Sequence, residues 1–170
     1  MIRSIARNED ATVGKKDIVT FSCGTFDEKH PQVLAITPFV NDFPLTQLVS
    51  RFEEAQSYEP AGGYGGIVPK WFDYGPLGKY FLGEYGEDSY WAKQGAGYIL
   101  GCECGEAGCW PLQCRIRLEG DDVVWDRFRQ PHRDARDYSH FGPFVLEGVQ
   151  YRDALAKLIA QMSDLTSDST

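Results

Sequence analysis

The sequence predicts an α+β fold: an antiparallel sheet with two amphipathic helices that cover one face. Three observations predict it. Short apolar runs between residues 97 and 128 alternate with polar positions and are broken by two turns, as in a β-meander. Two runs rich in β-branched and aromatic residues stand near the N-terminus, as in a hairpin. Two further stretches, about 46–56 and 149–163, repeat apolar residues every three or four positions, which is the period of a helix.

Taken in order, residues 1–16 carry mixed charge without periodicity and read as a loose arm. Residues 18–23 (IVTFSC) read as a first strand and 33–40 (VLAITPFV) as a second. Asn41-Asp42 suits a two-residue hairpin turn, with Phe43-Pro44-Leu45 returning. Pro38 and Pro44 lack N–H donors, so the hairpin belongs at a sheet edge. Leu45, Leu48, Val49 and Phe52 then mark the first helix, with Thr46 as its N-cap. Residues 58–91 hold ten aromatics and eight glycines without a sustained period, so the stretch reads as irregular chain apart from one helical turn opened by Pro76.

The meander follows, with strands at 98–104, 110–118 and 123–128 and turns at 105–108 and 119–122. A last strand is expected at 141–146. Tyr151, Leu155, Leu158, Ile159 and Met162 define the second helix, and 164–170 should fray. The length of 170 residues, with no linker or repeat, suits one α+β domain over 1–170.

Composition excludes several function classes. A hydrophobic fraction of 42% argues against disorder, and a net charge of −8 without a Lys/Arg stripe disfavours nucleic acid. No run of apolar residues is long enough to span a bilayer, and the N-terminus lacks a signal-peptide core. A cytoplasmic protein is expected, and its five cysteines are then reduced thiols or metal ligands rather than a disulfide framework.

Four of those cysteines fall between Cys102 and Cys114. Alternation puts Cys114 on the apolar face with Leu112, Ile116 and Leu118, and Cys23 reads as buried too. Cys102, Cys104 and Cys109 are grouped around a turn containing Gly105 and Gly108. They furnish three ligands of a tetrahedral zinc, the fourth coming from Cys114, His132 or His140, with His132 taken as the working choice. Two other readings stand beside this one: reduced cysteines in a glycine-shaped turn, and a nucleophilic thiol at Cys109 served by His132 or His140. Glu103 and Glu106 beside the thiols count against a thiolate.

The run GCECGEAGCWPL, followed by VVWDRFRQPHR and DYSHFGPFVLEGVQYRDAL, resembles a family of uncharacterised bacterial proteins over about Gly97 to Leu155. The resemblance implies a bacterial, cytosolic origin. It carries no residue role.

The basic island Arg127, Arg129, Arg133 and Arg136 reads as a solvated loop neutralising Asp126, Asp134 and Asp137, against an anion site. Gly62-Gly63-Tyr64-Gly65-Gly66 lacks the context of a phosphate loop. Glu53-Glu54 sits on a helix face and reads as solvated. The aromatic stretch offers interface anchors, of which Tyr64, Trp71, Tyr74 and Trp110 are the candidates, against rings that pin the loop to the core. No catalytic constellation emerges. The functions expected are therefore a non-catalytic protein-binding, adaptor or inhibitor-like module for a basic partner, then a zinc protein, then a thiol enzyme. No cofactor is called for beyond the zinc.

Overall fold

A computed structural model describes residues 15–167 as an α+β arrangement of two antiparallel sheets and four helices. The expectations for residues 1–14 and 168–170 fall outside the described residues. Strands β1 (Val19–Asp27) and β2 (His30–Val40) pair from Val19↔Val40 to Thr25↔Leu34. Both are longer than their apolar runs, because hairpin pairing carries the ladder outward into polar residues. Asn41 and Asp42 adopt φ of 51° and 70°, the left-handed pair of a tight hairpin turn, and lead into β3 (Phe43–Pro44). The Ile36 amide points to the Ile67 carbonyl at 2.9 Å. Two residues on, the Pro38 nitrogen faces the same side, in the gap between that bridge and the short β3.

Helix α1 (Leu45–Ala55) follows directly. Its N-cap is Pro44 rather than Thr46, since the chain leaves β3 already at the helix entry and has no room for a capping residue. Its buried residues are Leu45, Val49 and Glu53, at i, i+4 and i+8.

Residues 58–94 are mostly irregular, with β4 (Tyr64–Gly65), α2 (Leu77–Tyr80) opened by Pro76, and α3 (Tyr90–Gln94) capped by the Ser89 hydroxyl. Tyr64, Tyr74, Tyr80, Phe81 and Trp91 are buried, so most of the rings anchor the segment to the core.

The meander comprises β5 (Gly97–Cys102), β6 (Leu112–Glu119) and β7 (Asp122–Arg129), flanked by β4 on one side and β8 (Phe144–Leu146) on the other. β5 stops two residues earlier than expected, because the Glu103 amide turns to the Gly63 carbonyl. β6 starts two residues later, after Pro111, which has no N–H to give. Leu118 is exposed at the end of its strand, outside the apolar face assigned to it.

Two bridges join the sheets at their ends. Asp17, just ahead of β1, meets Leu146 of β8, and Ile36 of β2 meets Ile67, just past β4. The strand order therefore closes on itself.

Helix α4 (Gly148–Ser167) is longer than the periodic stretch. The Glu147 carboxylate accepts the Val149 and Gln150 amides at 3.0 and 2.7 Å, satisfying donors at its start. Tyr151 is fully buried; its hydroxyl accepts from the Trp125 indole at 3.2 Å and donates to the Phe81 carbonyl, tying helix, sheet and loop together. No helix among the described residues is long and apolar enough to cross a membrane.

Candidate metal centre

Where β5 ends, the chain reverses and collects three thiols. The sulfurs of Cys102, Cys104 and Cys109 lie within 4.8 Å of one another. Cys102 is buried, whereas Cys104 and Cys109 are exposed. The turn is made by the Gly105 amide donating to the Cys102 carbonyl at 2.9 Å, with Gly105 at φ 93°, a conformation that favours glycine. Space demands glycine there as well: a Cβ would sit 2.3 Å from the Trp71 ring.

Backbone amides point at two of the sulfurs. The Cys104 amide donates to the Cys102 sulfur and the Glu106 amide to the Cys104 sulfur. Burial pushes the Cys102 thiol up to about 12. The Cys104 thiol is lowered, first by the Glu106 amide and then by the Cys102 thiol. The sequence reading counted Glu106 against a thiolate through its carboxylate. At Cys104 the amide of the same residue outweighs that charge, so the structure favours a thiolate at Cys104, a cysteine other than the Cys109 chosen from sequence.

The expected fourth ligands do not complete the set. Cys114 is fully buried on the core face of β6, as alternation predicts, and its thiol is raised by that burial. His140 is exposed and outside the group of three. His132 lies against the turn, but its Nε2 is hydrogen-bonded to the Gly108 carbonyl at 2.7 Å. It braces the residue before Cys109 instead of joining the thiols. Among the described residues, no fourth Cys, His, Asp or Glu joins the three sulfurs.

Behind the turn runs a polar network that the sequence reading missed. Glu53, read as solvated, is fully buried. Its carboxylate accepts the Gly62 amide at 2.9 Å, the Tyr64 hydroxyl at 2.8 Å, the Arg136 Nη1 at 2.9 Å and the Tyr138 hydroxyl. Four donors satisfy a group that burial alone would forbid. Gln130 extends the network, donating to the Tyr64 hydroxyl and the Pro111 carbonyl and accepting the His132 amide at 3.0 Å. The Trp110 indole donates to the Gly62 carbonyl at 2.9 Å. The thiol turn is thus held from behind by Gln130 and His132, which are in turn held by the Glu53 cluster. The sequence signal was available: Glu53 continues the stripe of Leu45 and Val49.

The aromatic candidates separate by burial. Tyr64 and Tyr74 are only 7% and 4% exposed, so they offer a partner little surface; their rings pack the core because each lies on the inner side of its loop. Trp110 is half-buried beneath the guanidinium groups of Arg133 and Arg136, at 4.9 and 5.5 Å from its ring. Trp71 is 42% exposed and packs edge-on against Phe26 and His30. With Phe72, Cys104, Glu106 and Cys109 it lines a groove of about 670 Å³ that opens onto the thiols. In the basic island Arg136 is committed to Glu53, and Arg129 pairs with Asp134 at 3.0 Å in solvent.

No family model, curated protein or solved structure matches this chain. The site's own geometry therefore carries the functional reading.

Proposed function

We propose that the protein binds zinc through Cys102, Cys104 and Cys109, leaving the fourth position open to the groove beside Trp71. The observation that carries this is the approach of three sulfurs to within 4.8 Å at one chain reversal. Tetrahedral zinc with Zn–S bonds of about 2.3 Å needs sulfurs roughly 3.8 Å apart, so only a small closure of the turn is required. Three cysteines with two backbone amides aimed at their sulfurs form a soft, thiolate-stabilising donor set. Zinc held there would act as a Lewis acid toward whatever enters the groove. His132 positions the turn, and water or an incoming group takes the remaining place.

Cobalt(II) substitution tests the donor set. A thiolate-to-cobalt charge-transfer band should form with one equivalent of metal and weaken stepwise in Cys102→Ser, Cys104→Ser and Cys109→Ser. Cys114→Ser should leave it intact. A band unaffected by Cys104→Ser or Cys109→Ser would remove the proposal.

A second reading, a non-catalytic binding module for a basic partner in a reducing cytosol, is supported by the net charge of −8 and by exposed Trp71 and Phe72 at the rim of the groove. Pull-down with the unmodified protein and with Trp71→Ala tests it. A partner should be retained by the first and lost by the second; identical recovery with both counts against it.

A further inference from the structure

We propose a second site, separate from the thiols: the cleft between residues 72–76 and 84–91 binds an organic cation of the alkylammonium class. The cleft holds about 480 Å³, within the range of small-molecule sites, and five of its twelve lining residues are aromatic. Tyr74 stacks on Trp91 with planes 8° apart and centroids 5.6 Å apart. Phe72 stands at 62° to Trp91 and Tyr90 at 81°, so the rings around the cleft are set at several angles. Phe72 and Tyr90 are 38% and 50% exposed, and are therefore available to a ligand.

Charge selects the class. Asp73 and Glu84 line the cleft against a single cation, Lys79, and Glu87 and Asp88 follow in the same loop. Glu84 has no ion pair among the described residues. Aromatic faces and carboxylates together repel anions and attract a positive group, above all one whose alkyl shell is weakly hydrated. A third observation is independent of charge. Tyr74, only 4% exposed, lines the cleft, and its hydroxyl is buried without a hydrogen-bond partner; the unpartnered Tyr85 hydroxyl points instead into the core beside Gly97. A buried phenol oxygen left unpaired is unfavourable, and a ligand N–H or O–H would satisfy it.

The probe is choline, titrated into the intact protein and followed by tryptophan fluorescence and by NMR of the aromatic protons. Binding should be saturable. Its neutral isostere, in which carbon replaces nitrogen, should bind at least about tenfold more weakly. Glu84→Gln and Tyr90→Leu, both at exposed positions, should weaken choline by about three- to tenfold. A peptide carrying trimethyllysine distinguishes the source: tighter binding than choline assigns the cation to a protein segment, and equal or weaker binding to a free small molecule. Equal binding of the neutral isostere, or no saturable response to choline, overturns the proposal. The isostere comparison uses the unaltered protein, so a folding defect in a variant does not affect it.

Discussion

Glu53 and Arg136, 83 residues apart in sequence, meet inside the protein with Oε2 and Nη1 at 2.9 Å and side chains 0% and 6% exposed. Arg136 also donates to the Pro60 carbonyl at 2.7 Å, so one guanidinium joins the end of α1, the glycine-rich loop and the 130–138 segment.

Removing one partner strands the other. Glu53→Leu or Arg136→Met should each cost about 3–5 kcal/mol in urea unfolding, while the double variant should be less destabilised than the sum of the two. Single losses below about 1 kcal/mol would contradict a buried, mutually dependent pair.

His132 acts on the thiols through the Gly108 carbonyl. His132→Ala should lower zinc affinity by about 10- to 100-fold in competition with a chromophoric chelator, with stability of the zinc-free protein little changed. Complete loss of binding would make His132 a ligand instead, and unchanged affinity would remove its positioning role.

The interior is rich in phenols whose ionisation is opposed by burial. Tyr98 and Tyr138 are each pushed up to about 12, and Tyr64, Tyr74, Tyr80, Tyr85 and Tyr151 lie higher. The native state therefore keeps protons that the unfolded chain releases from about pH 10 upward. Stability should be insensitive to these groups below pH 10 and fall as pH rises above it, by up to about 1.4 kcal/mol per unit for each phenol. Tyrosinate absorbance from these seven should then appear together with the loss of circular dichroism. Gradual titration of most of the nine tyrosines within an intact fold would contradict the burial.

At the acid end, Arg115 and then Arg117 hold the Asp126 carboxyl below its ordinary value, with Arg115 contacting it at 2.8 and 2.7 Å. Because the folded value is depressed, the stabilisation is present above about pH 4 and is lost as pH falls below it. Asp126→Asn should flatten the acid limb of the stability curve. An unchanged limb would show the pair to be inert, as many half-exposed pairs are.

Much of the fold was legible because its signals are local. Periodicity marked both long helices, alternation marked the meander, and Asn41-Asp42 marked the hairpin turn. β4 and the two bridges that close the strand order were not legible, since a two-residue pairing is set by what lies opposite rather than by its own sequence. The thiol trio was visible because three cysteines fall within eight residues. Glu53 was misread because its partners Gly62, Tyr64, Arg136 and Tyr138 lie on remote segments, and a carboxylate on a buried stripe makes sense only once they are present. Tyr64 and Tyr74, offered from sequence as interface anchors, are buried instead, because aromatic content does not say which side of a loop a ring takes.

Zinc content of the intact protein, purified without chelator, tests the central claim most directly. About one zinc per chain is predicted, retained in Cys114→Ser and lost in Cys104→Ser and Cys109→Ser, with a drop in Tm on chelation. Less than about a tenth of a zinc per chain, in protein whose Tm is the same with and without chelator, would contradict it.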